Sequence, residues 1–210
     1  PLCLVGSEMC IRDSFKTGRG RPWEEHHECC FCGTDRFFRP IYVTNLLENW
    51  IPSLNGVQEK LESGATVADI GCGLGSSSIL MAKTFPNSKI YGYDFHEPSI
   101  IKAREKAEIE GVTNIEFAVS DAKNIPEQGY DFACIFDALH DMGDPVGVSK
   151  AILNTLNDDG TFMLVEPFAN DELKDNLNSQ SGLYYSFSTL ICVPTSVSYT
   201  HLTLPTTLQV

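Results

Sequence analysis

The stretch VADIGCGLG at residues 67–75 decides the fold. Val67, Ala68 and Ile70 make a short, nearly all-apolar run, the pattern of a strand buried on both faces. Asp69 stands at its end, and Gly71, Gly73 and Gly75 turn the chain into SSSILMAKTF (76–85), which reads as a helix with Ile79, Leu80 and Ala82 inward. Glycines permit positive φ and let a ligand approach the main chain closely. The start of the helix offers unpaired N–H groups to a carboxylate or phosphate. KIYGYD (89–94) follows as a second strand and closes on Asp94, an acid suited to accept bonds from two ribose hydroxyls. A glycine loop between strand and helix, with an acid ending the next strand, is the context that makes such a loop a ligand site.

Working outward, Pro98 opens and Gly111 closes a helix over 98–110. IEFAVS (115–120) and YDFACIFD (130–137) are the third and fourth strands, and Pro145 opens a helix over 145–156. Asp158-Asp159-Gly160 predicts a turn into TFMLVEP (161–167), the fifth strand. Strands alternating with helices imply βαβ units and a parallel sheet covered on both faces. Right-handed crossovers then dictate an α/β, Rossmann-like, doubly wound core with about five parallel strands visible. Upstream, 15–40 reads as irregular and 41–51 as helical, ended by Pro52; downstream, 170–178 reads as a polar helix and 182–193 as apolar and aromatic. The organisation expected is an N-terminal remnant with linker and helix (15–52), the ligand-binding core (53–178) and an apolar helix near the acceptor site (179–196).

The 210 residues carry a formal net charge of −13, with 42% hydrophobic and 20% charged residues, which is globular usage rather than that of a disordered chain. The acidic balance opposes a sequence-independent grip on nucleic acid or an anionic membrane, and no run of 18 apolar residues exists. Eight cysteines fall short of a disulfide scaffold, and the single ones inside core-like runs suit a reduced, cytoplasmic protein. The two ends read differently. One coding sequence for MCIRDS (9–14) has a reverse complement that translates as VSYTH, residues 197–201. The ends therefore resemble the two strands of a translated sequencing adapter, and 1–14 and 197–210 are expected to be non-native. The intervening 15–196 holds 14 basic and 26 acidic residues, net −12, and is expected to be a gene fragment.

The spacing D-x-G-x-G-x-G differs from the dinucleotide G-x-G-x-x-G, whose third glycine packs helix on strand. It resembles motif I of class I S-adenosylmethionine-dependent methyltransferases, and the resemblance runs over about 41–194. It implies S-adenosyl-L-methionine as cofactor, held by Asp69, Gly71, Cys72, Gly73 and Gly75, with Asp94 on the ribose. Phe95 would pack on the adenine, Asp121 would accept from its amine, and the Ala122 backbone would meet the ring. IFDALHDMGDP (135–145), with Phe136 beside the cofactor, and DDGTFMLVEP (158–167) continue it. The usual seventh and sixth strands of that family would be missing. The flanks of EEHHECCFC (24–32) are similar to a stretch in a bacterial subset with an N-terminal winged-helix region, through which a homodimer would form.

Methyl transfer needs a nucleophile placed against the methyl group, and a hydroxyl acceptor also benefits from a base. ALHDMGD resembles the LHDW-type segment of small-molecule O-methyltransferases, with Met142 in place of the tryptophan. The resemblance makes His140 the base and Glu166, after the fifth strand, the acid that orients it; Asp141 and Asp144 read as turn and capping residues. Phe136-Asp137-Ala138-Leu139 does not match the segment of nucleic-acid amino-methyltransferases, so a small organic acceptor is expected. His26, His27, Cys29, Cys30 and Cys32 lack the paired C-x₂-C spacing of a zinc site, and no metal is expected. Two alternatives stand beside this reading: an inactive or cofactor-binding-only fragment, and a nicotinamide-dependent oxidoreductase, which the glycine spacing and the lack of Tyr-x-x-x-Lys disfavour.

Overall fold

The computed structural model describes residues 12–127 and 129–200. The remainder of the two adapter-like ends, with Cys3, Cys10 and His201, lies outside the described residues. Five parallel strands, β1 (Thr66–Ile70), β2 (Lys89–Asp94), β3 (Ile115–Val119), β4 (Tyr130–Phe136) and β5 (Leu156–Val165), form one sheet in the order β3-β2-β1-β4-β5. This is the Rossmann-like sheet the alternating pattern predicts. The order reverses at β1, which pairs with β2 on one side and β4 on the other. Its carboxyl end, where the glycine turn begins, is therefore the topological switch point at which open α/β sheets bind ligands.

The helices include α1 (Glu28–Asn45), α2 (Val57–Ser63), α3 (Ser76–Thr84), α4 (Glu97–Ile109), α5 (Pro145–Thr155), α6 (Ser179–Phe187) and α7 (Val193–Thr200). Pro98 lies in the first turn of α4 as expected. At its other end the Gly111 and Val112 amides donate to the Glu108 and Ala107 carbonyls, a Schellman closure. The chain divides into two compact units: Glu28–Phe136 with Val146–Val165, and the segments up to His27, Asp137–Pro145 and from Glu166 on. The first unit holds the sheet. Its core joins Val67, Ile90, Phe132, Cys134 and Met163 of the strands to Leu46, Ile51, Leu61 and Met81. A second cluster packs Phe117 with Cys72, Ile79, Ile100, Ala103 and Ala107.

Four expectations need correction. Residues 28–40 are not irregular but form most of α1, which carries Gly33 and Pro40 in its interior. Proline in a helix costs about 3 kcal/mol, and α1 outweighs it through its packing. Phe31 meets the His96 ring at 4.4 Å, and Tyr42 meets the Phe136 ring at 5.3 Å. Asp35 accepts from the Ser76 hydroxyl at 2.5 Å and pairs with Lys106 at 3.2 Å. The turn expected at Asp158-Asp159-Gly160 lies inside β5, where a register shift against β4 between Tyr130 and Phe132 absorbs the extra residues. Residues 170–178 hold only one short 3₁₀ turn, Leu173–Asn176, because the Asn176 side chain bonds the Asn170 backbone instead, accepting from its amide and donating to its carbonyl. In α3 it is Met81, with Ile79 and Ala82, that is buried, and Leu80 lies at the margin.

Candidate functional site

The glycine turn is strapped to the end of β2. The amides of Gly71 and Cys72 both donate to the Tyr93 carbonyl, at 2.7 and 3.0 Å, and the Gly75 amide donates to the Cys72 carbonyl at 2.9 Å. Gly73 donates its amide to Oδ2 of Asp94 at 2.9 Å, while Oδ1 of Asp94 accepts from the His96 amide at 2.8 Å. Asp94 is thus fixed by two backbone donors at the carboxyl edge of the sheet, with lone pairs left on both oxygens. Burial raises its pKa, and the His96 and Gly73 amides work against that rise.

Asp69 lies wholly within the fold. Its Oδ2 accepts from the hydroxyls of Ser77 (2.6 Å) and Ser78 (2.5 Å), which holds the first turn of α3 against β1. Oδ1 is buried and makes no hydrogen bond. Burial lifts the carboxyl to about 6, against the pull of the two serine hydroxyls. Cys72 is a buried thiol whose pKa burial pushes far up, so it packs as an apolar group.

The residues fit the cofactor their spacing suggests. Gly73 has φ +53°, and a Cβ placed on it meets nothing within 4 Å, so open space lies against the main chain there. Gly75 has φ +76°, and a Cβ there would stand 2.6 Å from the Phe117 ring, so its bareness serves packing. Beyond β3, the Ser120 amide donates to the Asp94 carbonyl at 3.0 Å and brings Asp121 and Ala122 to the same sheet edge. Oδ1 of Asp121 accepts from the Lys123 amide at 2.9 Å. Phe95 follows Asp94 and is 46% exposed. Phe136 is different: its ring is buried against Tyr42 and Trp50, as a core side chain.

The second constellation lies in the other compact unit, on segments that directly follow β4 and β5 in the chain. Glu166 grips the short turn Leu139–Asp141 at two points. Oε1 accepts from the Leu139 amide at 2.8 Å, and Oε2 makes a short bond with Nδ1 of His140. The two residues singled out by sequence are therefore in direct contact. The His140 side chain is 32% exposed. Burial lowers its pKa, but the bonds to Cys192 and Glu166 and the charges of Asp141 and Glu166 outweigh that, and it stands at about 11. Three residues not foreseen join it. Asp141 places Oδ1 3.4 Å from His140 Nε2. Cys192 brings its Sγ within 4.8 Å of a His140 ring nitrogen and an Asp141 carboxylate oxygen. Asp137 has φ +52°, and burial raises it to about 7. The acids at −3 and +1 from His140 were visible in the sequence, and so was Cys192 within the apolar stretch 182–193, but nothing there linked them.

The EEHHECCFC segment does not assemble a donor cluster among the described residues. His26 is held down at about 4 by burial and by Arg21.

Comparison with known proteins gives the class. The methyltransferase domain family matches residues 61–202, more than half of the chain, and the chain belongs to that family. An uncharacterized RNA methyltransferase of Bacillus cereus is 34% identical over 101 residues, covering 47% of this chain and 21% of that protein. The ubiquinone biosynthesis O-methyltransferase of Acinetobacter baylyi is 29% identical over 133 residues, covering 61% of this chain and 50% of that protein. The chain thus spans about a fifth and a half of the length of these relatives. Two solved structures share the fold: the YcgJ protein from Bacillus subtilis (TM-score 0.50, 24% identity, 56% of this chain and 51% of that one) and a candidate sarcosine dimethylglycine methyltransferase from Galdieria sulphuraria (TM-score 0.53, 21%, 66% and 56%). Family and fold together define a class I S-adenosylmethionine-dependent methyltransferase domain. Membership implies S-adenosylmethionine as the methyl donor and sets aside the nicotinamide alternative. Among the described residues no helix is long and apolar enough to cross a membrane.

Proposed function

We propose that this chain binds S-adenosylmethionine through Gly71, Gly73 and Asp94, with Asp121 and Ala122 beside the adenine, and transfers its methyl group to a hydroxyl of a small organic acceptor. When bound, the cofactor supplies a sulfonium methyl group open to in-line displacement. The observation that carries the hydroxyl reading is the Glu166–His140 contact. A carboxylate on Nδ1 fixes the ring's orientation and leaves Nε2 as the atom that exchanges a proton with an acceptor. Glu166 is a positioning residue, because its second oxygen holds the turn itself through Leu139.

The pairing has a cost at neutral pH. A histidine raised to about 11 rests as the imidazolium, and its base form grows as pH rises. Transfer to a neutral hydroxyl is therefore expected to climb from pH 7 into the alkaline range. The ubiquinone O-methyltransferase relative supports a hydroxyl acceptor. The RNA methyltransferase relative supports the other acceptor class, which a net charge of −13 disfavours.

Methyl-labelled cofactor, offered with a panel of phenols and with RNA, tests the reading. Label is expected on the small hydroxyl compounds, and His140→Ala should lower turnover by about 10²–10⁴-fold, the usual worth of a general base, with cofactor affinity unchanged. Label on RNA alone, or turnover indifferent to His140→Ala, would contradict it.

A further inference from the structure

Around His140 three different donor types converge. A ring nitrogen of His140, a carboxylate oxygen of Asp141 and Sγ of Cys192 lie within 4.8 Å of one another, and Nε2 is the nitrogen that faces Asp141. Oδ1 of Asp141 is shut off from solvent yet makes no hydrogen bond, and its distance to Nε2, 3.4 Å, is too long for a good one. That spacing has another meaning. Ligand bonds of about 2.1 Å to a tetrahedral zinc ion put a nitrogen and an oxygen about 3.4 Å apart. Glu166, on the far ring nitrogen, supplies the carboxylate–histidine pairing that orients a metal-binding imidazole. The mixed N, O and S donor set suits zinc rather than magnesium or calcium.

We propose that His140, Asp141 and Cys192 form a site for a zinc-class divalent cation, with Glu166 as the supporting partner and a fourth position left for water. All four residues lie in one compact unit, on the turn Leu139–Asp141, the segment after β5 and the turn that ends at Cys192. The partly exposed His140 ring gives an ion access from solvent. The consequence for transfer rests on the reading above: a nitrogen that coordinates the ion cannot take a proton. Zinc and the proton-accepting role of His140 then exclude each other, and the cation inhibits.

Cobalt(II) serves as the probe. Titrated into the 210-residue chain, it should give the visible bands of a tetrahedral ion and a near-ultraviolet thiolate-to-cobalt band, both erased by added zinc. Cys192→Ser should remove the thiolate band and weaken binding at least tenfold; Cys29, Cys30 and Cys32 changed together to serine should leave it intact. Circular dichroism confirms that each variant is folded. Absence of a thiolate band, or a band that survives Cys192→Ser, overturns the site. A second arm separates the two readings. Zinc should inhibit methyl transfer by the parent chain and spare Cys192→Ser. Cobalt bound as expected, with zinc indifferent to transfer, would uphold the site and refute His140 as the base.

Discussion

The Gly73 amide donates to the Asp94 carboxylate at 2.9 Å, so the turn after β1 and the acid that closes β2 are one bonded unit. The glycine turn and the acid proposed to hold the ribose are therefore tied to each other. Other bonds at this edge, from Gly71 and Cys72 to Tyr93 and from Ser120 to Asp94, extend the same strapping across three strands.

Two glycines of the turn should respond differently to alanine. Gly75→Ala drives a methyl to within 2.6 Å of Phe117 at a positive φ, and should destabilise the fold by about 2–4 kcal/mol. Gly73→Ala meets no atom and should cost only about 1 kcal/mol, but its methyl enters the open space where the cofactor is proposed to lie. Urea unfolding paired with calorimetric cofactor titration separates the two. Equal effects of both variants on stability, or a Gly73→Ala chain that binds normally, would contradict this division.

Asp69 sets a pH dependence of stability. Its carboxyl stands at about 6 when folded and near 3.8 when unfolded. Between these values the folded state holds the proton more tightly, so stability falls as pH rises from about 4 to 6 and the loss persists above. Asp69→Asn removes the charge and should match the parent at pH 4. At pH 7 it should exceed it by up to about 3 kcal/mol, two pKa units of linkage. Urea midpoints at the two pH values check this; a difference that does not change with pH would refute it.

Glu166 should act through position rather than contact with the acceptor. Glu166→Ala frees both the Leu139 amide and the His140 ring and should lower methyl transfer by about 10–100-fold, as loss of an outer-shell carboxylate typically does. Glu166→Gln keeps a single oxygen, enough to accept from the Leu139 amide but without the carboxylate charge beside the His140 ring, and should restore part of the rate while weakening the alkaline climb in the pH profile. Identical rates and profiles in the two variants would count against orientation as its role.

The sheet was legible because its strands are short, apolar and separated by Gly, Pro and Asp at the ends of the helices. The contact between Glu166 and His140 was legible because Glu166 directly follows β5 and His140 lies on the short turn after β4. What escaped the sequence depends on contacts between distant segments. Helix α1 carries Gly33 and Pro40, local breakers, and forms because Phe31, Asp35 and Tyr42 find partners far along the chain. Cys192 meets His140 across 52 positions, a distance no spacing rule spans. Phe136, expected beside the cofactor, ends its strand pointing into the core because Tyr42 and Trp50 are there to receive it.

Calorimetric titration of S-adenosylmethionine into the 210-residue chain and its Asp94→Ala variant tests the central claim most directly. Two charge-assisted bonds to the ribose, each worth about 1.5–3 kcal/mol, predict saturable binding by the parent and affinity at least about 100-fold weaker in Asp94→Ala. No binding by a folded parent chain, or the same affinity in both proteins, would contradict it.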